Sequence, residues 1–145
     1  MMMKLYNSSF EISLRVLILL DVYQKPLSLD SIKEIDILST YCKYYNIGNT
    51  NLHGDSSYTL SEIAARRELI NDALKSLVLQ GYIDLKVSPD GFLYSINSVG
   101  SEIHRQMTSD YAIEYEKSVK LVKKKISNLS SKEINNLLYC TIRRN

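Results

Sequence analysis

Apolar residues recur every three or four positions between Thr59 and Gly81, at Leu60, Ile63, Ala64, Ile70, Leu74, Leu77 and Val78, so a single apolar stripe runs down a predicted helix. Thr59 and Glu62 have the spacing of a capping box, which sets its start, and Gly81 supplies the left-handed residue that stops it. Arg67 projects from that stripe. The period then changes: Ile83, Leu85 and Val87 alternate, Pro89-Asp90-Gly91 turns the chain, and Phe92, Tyr94 and Ile96 alternate again, which predicts a hairpin. Upstream, Ser8 and Glu11 form a second capping box for a helix reaching about Gln24. Its residues Phe10, Ile12, Leu14 and Val16 to Leu20 are apolar on nearly every side, the pattern of a helix buried at the centre of a domain or shared with a partner.

A second helix, capped by Ser28 or Ser31, carries Ile32, Ile35, Leu38, Cys42 and Tyr45 on one face and is predicted to end near Asn46. The Asn-, Gly- and Ser-rich stretch that follows is too long for a compact helix-turn-helix. After the hairpin, Asn97 or Ser98 opens a predicted long helix. Val99, Ile103, Met107, Tyr111, Tyr115, Val119, Val122 and Ile126 form a coiled-coil-like stripe along it. Ser130 and Glu133 start a short terminal helix. The predicted fold class is mainly α with a small β-hairpin: a winged-helix-like domain over residues 1–97, then a helical C-terminal extension over 98–145. Such domains bind DNA or proteins and imply no catalysis.

Charge sharpens that division. The formal net charge is only +2, but from Lys117 onward eight basic residues face Glu133 alone, a balance of +7 that leaves −5 for the rest. Lys117, Lys120, Lys123 and Lys124 are candidates for contact with DNA or a partner; the alternative is the solvated face of a long helix. The hairpin sets Lys86 against Asp84 and Asp90, and the Thr59–Gly81 helix balances three basic against three acidic residues, whereas a recognition helix is usually basic. Arg67, within the apolar stripe, calls for a buried carboxylate, and Glu11 and Asp36 are the candidates. Tyr111, Tyr115, Phe92 and Tyr94 are candidate partner-interface aromatics.

No catalytic, cofactor-binding or metal-ligating set emerges. His53 and His104 are isolated, Cys42 and Cys140 lack metal-site or CxxC spacing, and no glycine-rich loop cradles phosphate. The apolar run Leu14–Leu20 is too short to span a bilayer, and the start of the chain has no signal-peptide pattern, so the expectation is a cytoplasmic protein with no membrane contact.

Two segments, YNSSFEISLRVLILL (6–20) and LHGDSSYTLSEIAARRELINDALKSLVLQGYI (52–83), resemble the small middle component of bacterial ABC three-component systems, of which Lamassu-type anti-phage and anti-plasmid systems are examples. The family pattern Tyr-Asn-Ser-Pro-Phe-Glu-Ile is matched from Tyr6 to Ile12, with Ser9 in place of proline. Leu-His is matched at Leu52 and His53, and Arg-Arg-Glu-Leu-Ile at Arg66 to Ile70. The resemblance implies a non-enzymatic accessory subunit that docks on an SMC-like coiled-coil ABC ATPase and helps control an effector subunit. DNA would be met through the complex, with direct contact by the basic tail as a further option. The competing reading is a winged-helix transcription regulator dimerising through the C-terminal helix.

Overall fold

The computed structural model describes residues 8–49, 51–52 and 60–143. Six helices and one hairpin follow in the order α1 (Ser9–Tyr23), α2 (Leu29–Thr40), α3 (Leu60–Leu79), β1 (Ile83–Ser88), β2 (Gly91–Ile96), α4 (Ser98–Arg105), α5 (Asp110–Ile126) and α6 (Ser131–Arg143). The fold is mainly helical with a small two-stranded antiparallel sheet.

The all-round apolar pattern of α1 has its expected consequence over most of the helix, the exception being Phe10, which is 71% exposed. α1 packs against α2, α3, α4, α5 and β2, and buries Ile12 together with Val16 to Leu20. Its N-terminus is capped as predicted, Ser8 Oγ accepting from the Glu11 N–H at 3.2 Å. Gln24 closes the other end in the left-handed region at φ 53°. Thr59 lies outside the described residues, as does His53, so the start of α3 is known only from Leu60 onward.

Two helices differ from the sequence reading. α2 ends at Thr40, not near Asn46; from Tyr41 to Asn46 the chain continues in turns, and Asn46 at φ 58° ends them. The stripe from Val99 to Ile126 is carried by two helices. α4 stops at Arg105, and α5 restarts behind Ser109, whose Oγ accepts from the Ala112 N–H at 3.1 Å. A serine that can cap a new helix competes with continuation of the old one. α5 then lays Ala112, Tyr115, Val119, Val122 and Ile126 into the same core as α1 and α2.

His104 at the end of α4 joins three helices. Its Nδ1 lies 2.5 Å from Asp21 of α1 and its Nε2 2.6 Å from Glu116 of α5. Gly100 brings α4 so close to the end of α3 that a Cβ there would sit 2.2 Å from the Tyr82 carbonyl oxygen.

The hairpin hangs from this body by its base. β1 and β2 pair in register, Ile83 with Ile96, Leu85 with Tyr94 and Val87 with Phe92. Leu27 adds a single antiparallel bridge to the far side of β2, exchanging backbone hydrogen bonds of 2.9 and 2.8 Å with Tyr94. Asn97 locks the base, donating to the Gly81 carbonyl at 2.9 Å while its Oδ1 accepts from the Gly100 N–H at 3.0 Å.

Candidate protein-docking face

The hairpin register puts six apolar side chains on one face: Ile83 and Ile96 at the base, Leu85 and Tyr94 in the middle, Val87 and Phe92 at the tip. On this face Ile83 at the base and Tyr94 in the middle are buried. Toward the tip it is bare, Phe92 being 56% and Val87 71% exposed. The end of α3 runs alongside, and its Leu79 is 88% exposed. Between them lies a trough of about 460 Å³ with a mostly apolar lining, from Asn71, Lys75, Val78 and Leu79 on α3 and from Leu85, Phe92 and Tyr94 on the hairpin. Contiguous exposed apolar surface of this kind marks an interaction site, whereas single exposed apolar residues do not.

Beside the trough lies a second depression of about 250 Å³, lined by Ser28, Leu29 and Asp30 of the α2 N-terminus, Arg67 and Asn71 of α3, and Asp90, Phe92 and Tyr94 of the hairpin. Arg67 is on this surface. It is half exposed and its Nε donates to Asp30 at 3.1 Å, so the expected buried pair with Glu11 or Asp36 is not formed. The arginine buried on α3 is its neighbour, Arg66, at 1% exposure.

Asp36 is the buried carboxylate, as expected, but its partners are different residues. Arg15 of α1 grips it in a fork, Nε to Oδ1 at 2.9 Å and Nη2 to Oδ2 at 3.1 Å. Arg66 Nη1 approaches Oδ2 at 3.4 Å and donates to Thr40 Oγ1 at 2.7 Å. Burial works to raise the Asp36 carboxyl, but the charges of Arg15 and Arg66, with hydrogen bonds from Arg15 and Tyr115, outweigh it and hold it well below the usual carboxylate range. Glu11 is close enough for its charge to act on the Tyr111 phenol, but one of its buried oxygens has no hydrogen-bond partner among the described residues.

The same cluster takes up two of the four aromatics expected at an interface. Tyr115 is fully buried and its hydroxyl donates to Asp36 Oδ1 at 2.6 Å, while the Tyr111 hydroxyl accepts from Arg15 Nη1 at 3.2 Å. Both phenols are pushed up, first by burial. Tyr115 is a core residue and Tyr111 is half-buried beside it, and only Phe92 and Tyr94 line the exposed trough.

The candidate lysines divide in a similar way. Lys117 pairs with Glu114 at 3.5 Å and Lys120 with Glu116 at 2.9 Å, each along α5 itself. Lys123 folds back to donate to the Val22 carbonyl at 3.3 Å, its ammonium 5.4 Å from the centre of the Tyr23 ring. Lys124 and Lys125 are exposed without an ion pair among the described residues.

Sequence reasoning missed Arg15 and the trough. Arg15 was signalled by its place inside the apolar run Leu14–Leu20, where any charge must find a buried partner. The trough had only the apolar alternation of the hairpin to announce it.

Among the described residues no group of three or more His, Cys, Asp or Glu side chains could hold a metal ion, and no helix is long and apolar enough to cross a membrane. No curated protein and no solved structure gives a match to the chain. A family model does, over residues 5–144, and so includes the tail that the sequence motifs left uncovered. The chain belongs to the family described as ABC-three component (ABC-3C) system Middle Component 2.

Proposed function

We propose that the chain is a non-catalytic accessory subunit of a bacterial anti-phage or anti-plasmid complex, cytoplasmic and of winged-helix-like design. It docks on the SMC-like coiled-coil ABC ATPase of its three-component system and helps hold the effector in check until foreign DNA is sensed. Family membership supports the coarser part of this reading, that it works with other ABC-3C components. The observation that carries the rest is the bare apolar trough between α3 and the hairpin.

A DNA-reading surface of this geometry would present Arg and Lys to phosphates and base edges. Here the corresponding face offers Leu79, Leu85 and Phe92, with Lys75 as the single cation of the apolar part, which favours a protein partner. DNA then enters through the assembled complex, and the exposed Lys124 and Lys125 support an auxiliary contact by α5.

The test is size exclusion with light scattering on the purified chain, alone and mixed with the ABC ATPase of its own system. A monomer that moves into the ATPase peak is the expected result. A stable dimer that ignores the ATPase would overturn the reading and favour a transcription regulator.

A further inference from the structure

The two depressions beside α3 share Asn71, Phe92 and Tyr94 as lining residues and so lie next to one another along one trough-like face. It follows α3 from Arg67 to Leu79, twelve positions and so a rise of about 18 Å, the length of a helix of roughly three turns. One wall is a helix, with Val78 and Leu79, and the other is the face of a sheet, with Leu85 and Phe92. An occupant must cover both walls at once. A strand added to the outer edge of β1, which pairs with no other strand among the described residues, would extend the sheet sideways and leave Leu79 bare. An amphipathic helix presents an apolar stripe about 100° wide, enough to touch both walls from between them.

Charge fixes the register. Lys75 borders the apolar part, and Asp90 at the hairpin tip borders the other end, level with Arg67; neither has an ion pair among the described residues. From the level of Arg67 to Lys75 is two turns of α3, about 12 Å. We infer that the trough takes an amphipathic helix of the partner, with a basic residue opposite Asp90, an acidic residue seven or eight positions away opposite Lys75, and apolar side chains between and beyond them seated on Phe92, Leu85 and Leu79. This rests on the docking reading above and names the segment of the partner that meets the trough. The opposed charges set which way the helix lies and reject a reversed or uniformly charged segment, while the apolar contacts supply the affinity.

The experiment measures binding of the full chain to the ABC ATPase of its system by fluorescence anisotropy, for the parent and for Leu79→Glu, Phe92→Ser, Lys75→Glu and Asp90→Lys. A photo-crosslinking amino acid at position 92 then maps the contacted segment by mass spectrometry. All four positions are exposed to solvent, so circular dichroism should show intact folds. Expected are losses of about tenfold or more for Leu79→Glu and Phe92→Ser, smaller and salt-sensitive losses for the charge reversals, and crosslinks on a helical segment bearing the stated charge pair. Unchanged binding by Leu79→Glu and Phe92→Ser would overturn the trough and leave the docking reading standing. Crosslinks to an extended segment or to a second copy of this chain would do the same. A parent chain that fails to bind the ATPase at all would overturn both.

Discussion

Replacing Asp36 by Asn removes one negative charge and almost no volume, so its effect isolates the electrostatics of the buried cluster. In the folded chain this carboxylate accepts from Arg15 twice, from Tyr115 and from Arg66, at 2.6–3.4 Å. Both guanidiniums are 1% exposed, so water cannot take over the lost charge. An Asn also turns an NH₂ toward a guanidinium that needs an acceptor. Breaking a buried pair by removing one partner costs about 3–5 kcal/mol. For a chain of this length that lowers Tm by about 10–15 °C in thermal unfolding followed by circular dichroism. The exposed pair gives the control: Asp30→Asn, which frees Arg67, should move Tm by less than about 2 °C. The pH dependence supplies a second readout. Because the Asp36 carboxyl is depressed in the folded state, its stabilisation is fully present above the unfolded carboxylate value of about 3.9 and is lost as pH falls through the folded value. The stability gap between parent and Asp36→Asn is therefore widest near neutral pH and closes from about pH 4 downward. A gap under about 1 kcal/mol at pH 7, or one that stays constant down to pH 2, would refute the argument.

Gly100→Ala should destabilise by about 2–3 kcal/mol in urea titration, because its Cβ would meet the Tyr82 backbone oxygen at 2.2 Å and Ile96 Cδ1 at 2.7 Å, and backbone cannot swing aside. Tyr23 has a buried hydroxyl with no hydrogen-bond partner among the described residues, so Tyr23→Phe should be neutral or stabilising at pH 7. Burial pushes the Tyr23 phenol up to about 12. The parent should therefore lose stability as pH rises from the unfolded value of about 10 through 12, and Tyr23→Phe should soften that loss in alkaline unfolding curves. Reversing Lys124 and Lys125 to Glu should lower DNA affinity of the assembled complex and reduce the salt slope by about 2, read by filter binding across a salt series; an unchanged slope would make this a plain solvated face.

How far the sequence could be read is clearest on α3. The stripe drawn through Leu60, Ala64 and Ile70 is wide enough to admit Arg67. Among the described side chains, those that become buried are Ile63, Arg66, Ile70, Ala73, Leu74 and Leu77, and Ala64 stays exposed. Counting one alanine as core turned the helix by one position and assigned the buried charge to the wrong arginine. Alanine is a poor guide to facing because it stabilises a helix on either side. Asp36 was legible, since an acid on an apolar face needs a cation. Arg15 was equally legible on the same logic, and the all-round apolar neighbourhood that hid it is what buries it at the centre. The break between α4 and α5 was written in Thr108-Ser109-Asp110, a cap followed by an acid in the first turn. It was outweighed by the spacing of Ile103, Met107 and Tyr111, which keeps helical period straight across it.

Tyr111 and Phe92 show why the site itself was harder to read than the fold. Each lies on a regular apolar pattern, and a pattern states which face is apolar without stating what covers it. On α5 the answer is α1 and α2, and a phenol there finds Arg15 or Asp36. On the hairpin the strands are six residues long, about 20 Å at 3.3 Å per residue, and the body buries this face no further than Tyr94, which Leu27 bridges. The alternation nevertheless continues unchanged to Val87 and Phe92. An isolated hairpin in water gains nothing from apolar residues beyond the reach of its own core, and they raise the risk of self-association. Phe92 at the tip, across the trough from a bare Leu79, is therefore costly to the free chain and useful only when something sits between them. That asymmetry makes the trough the place to look for the partner.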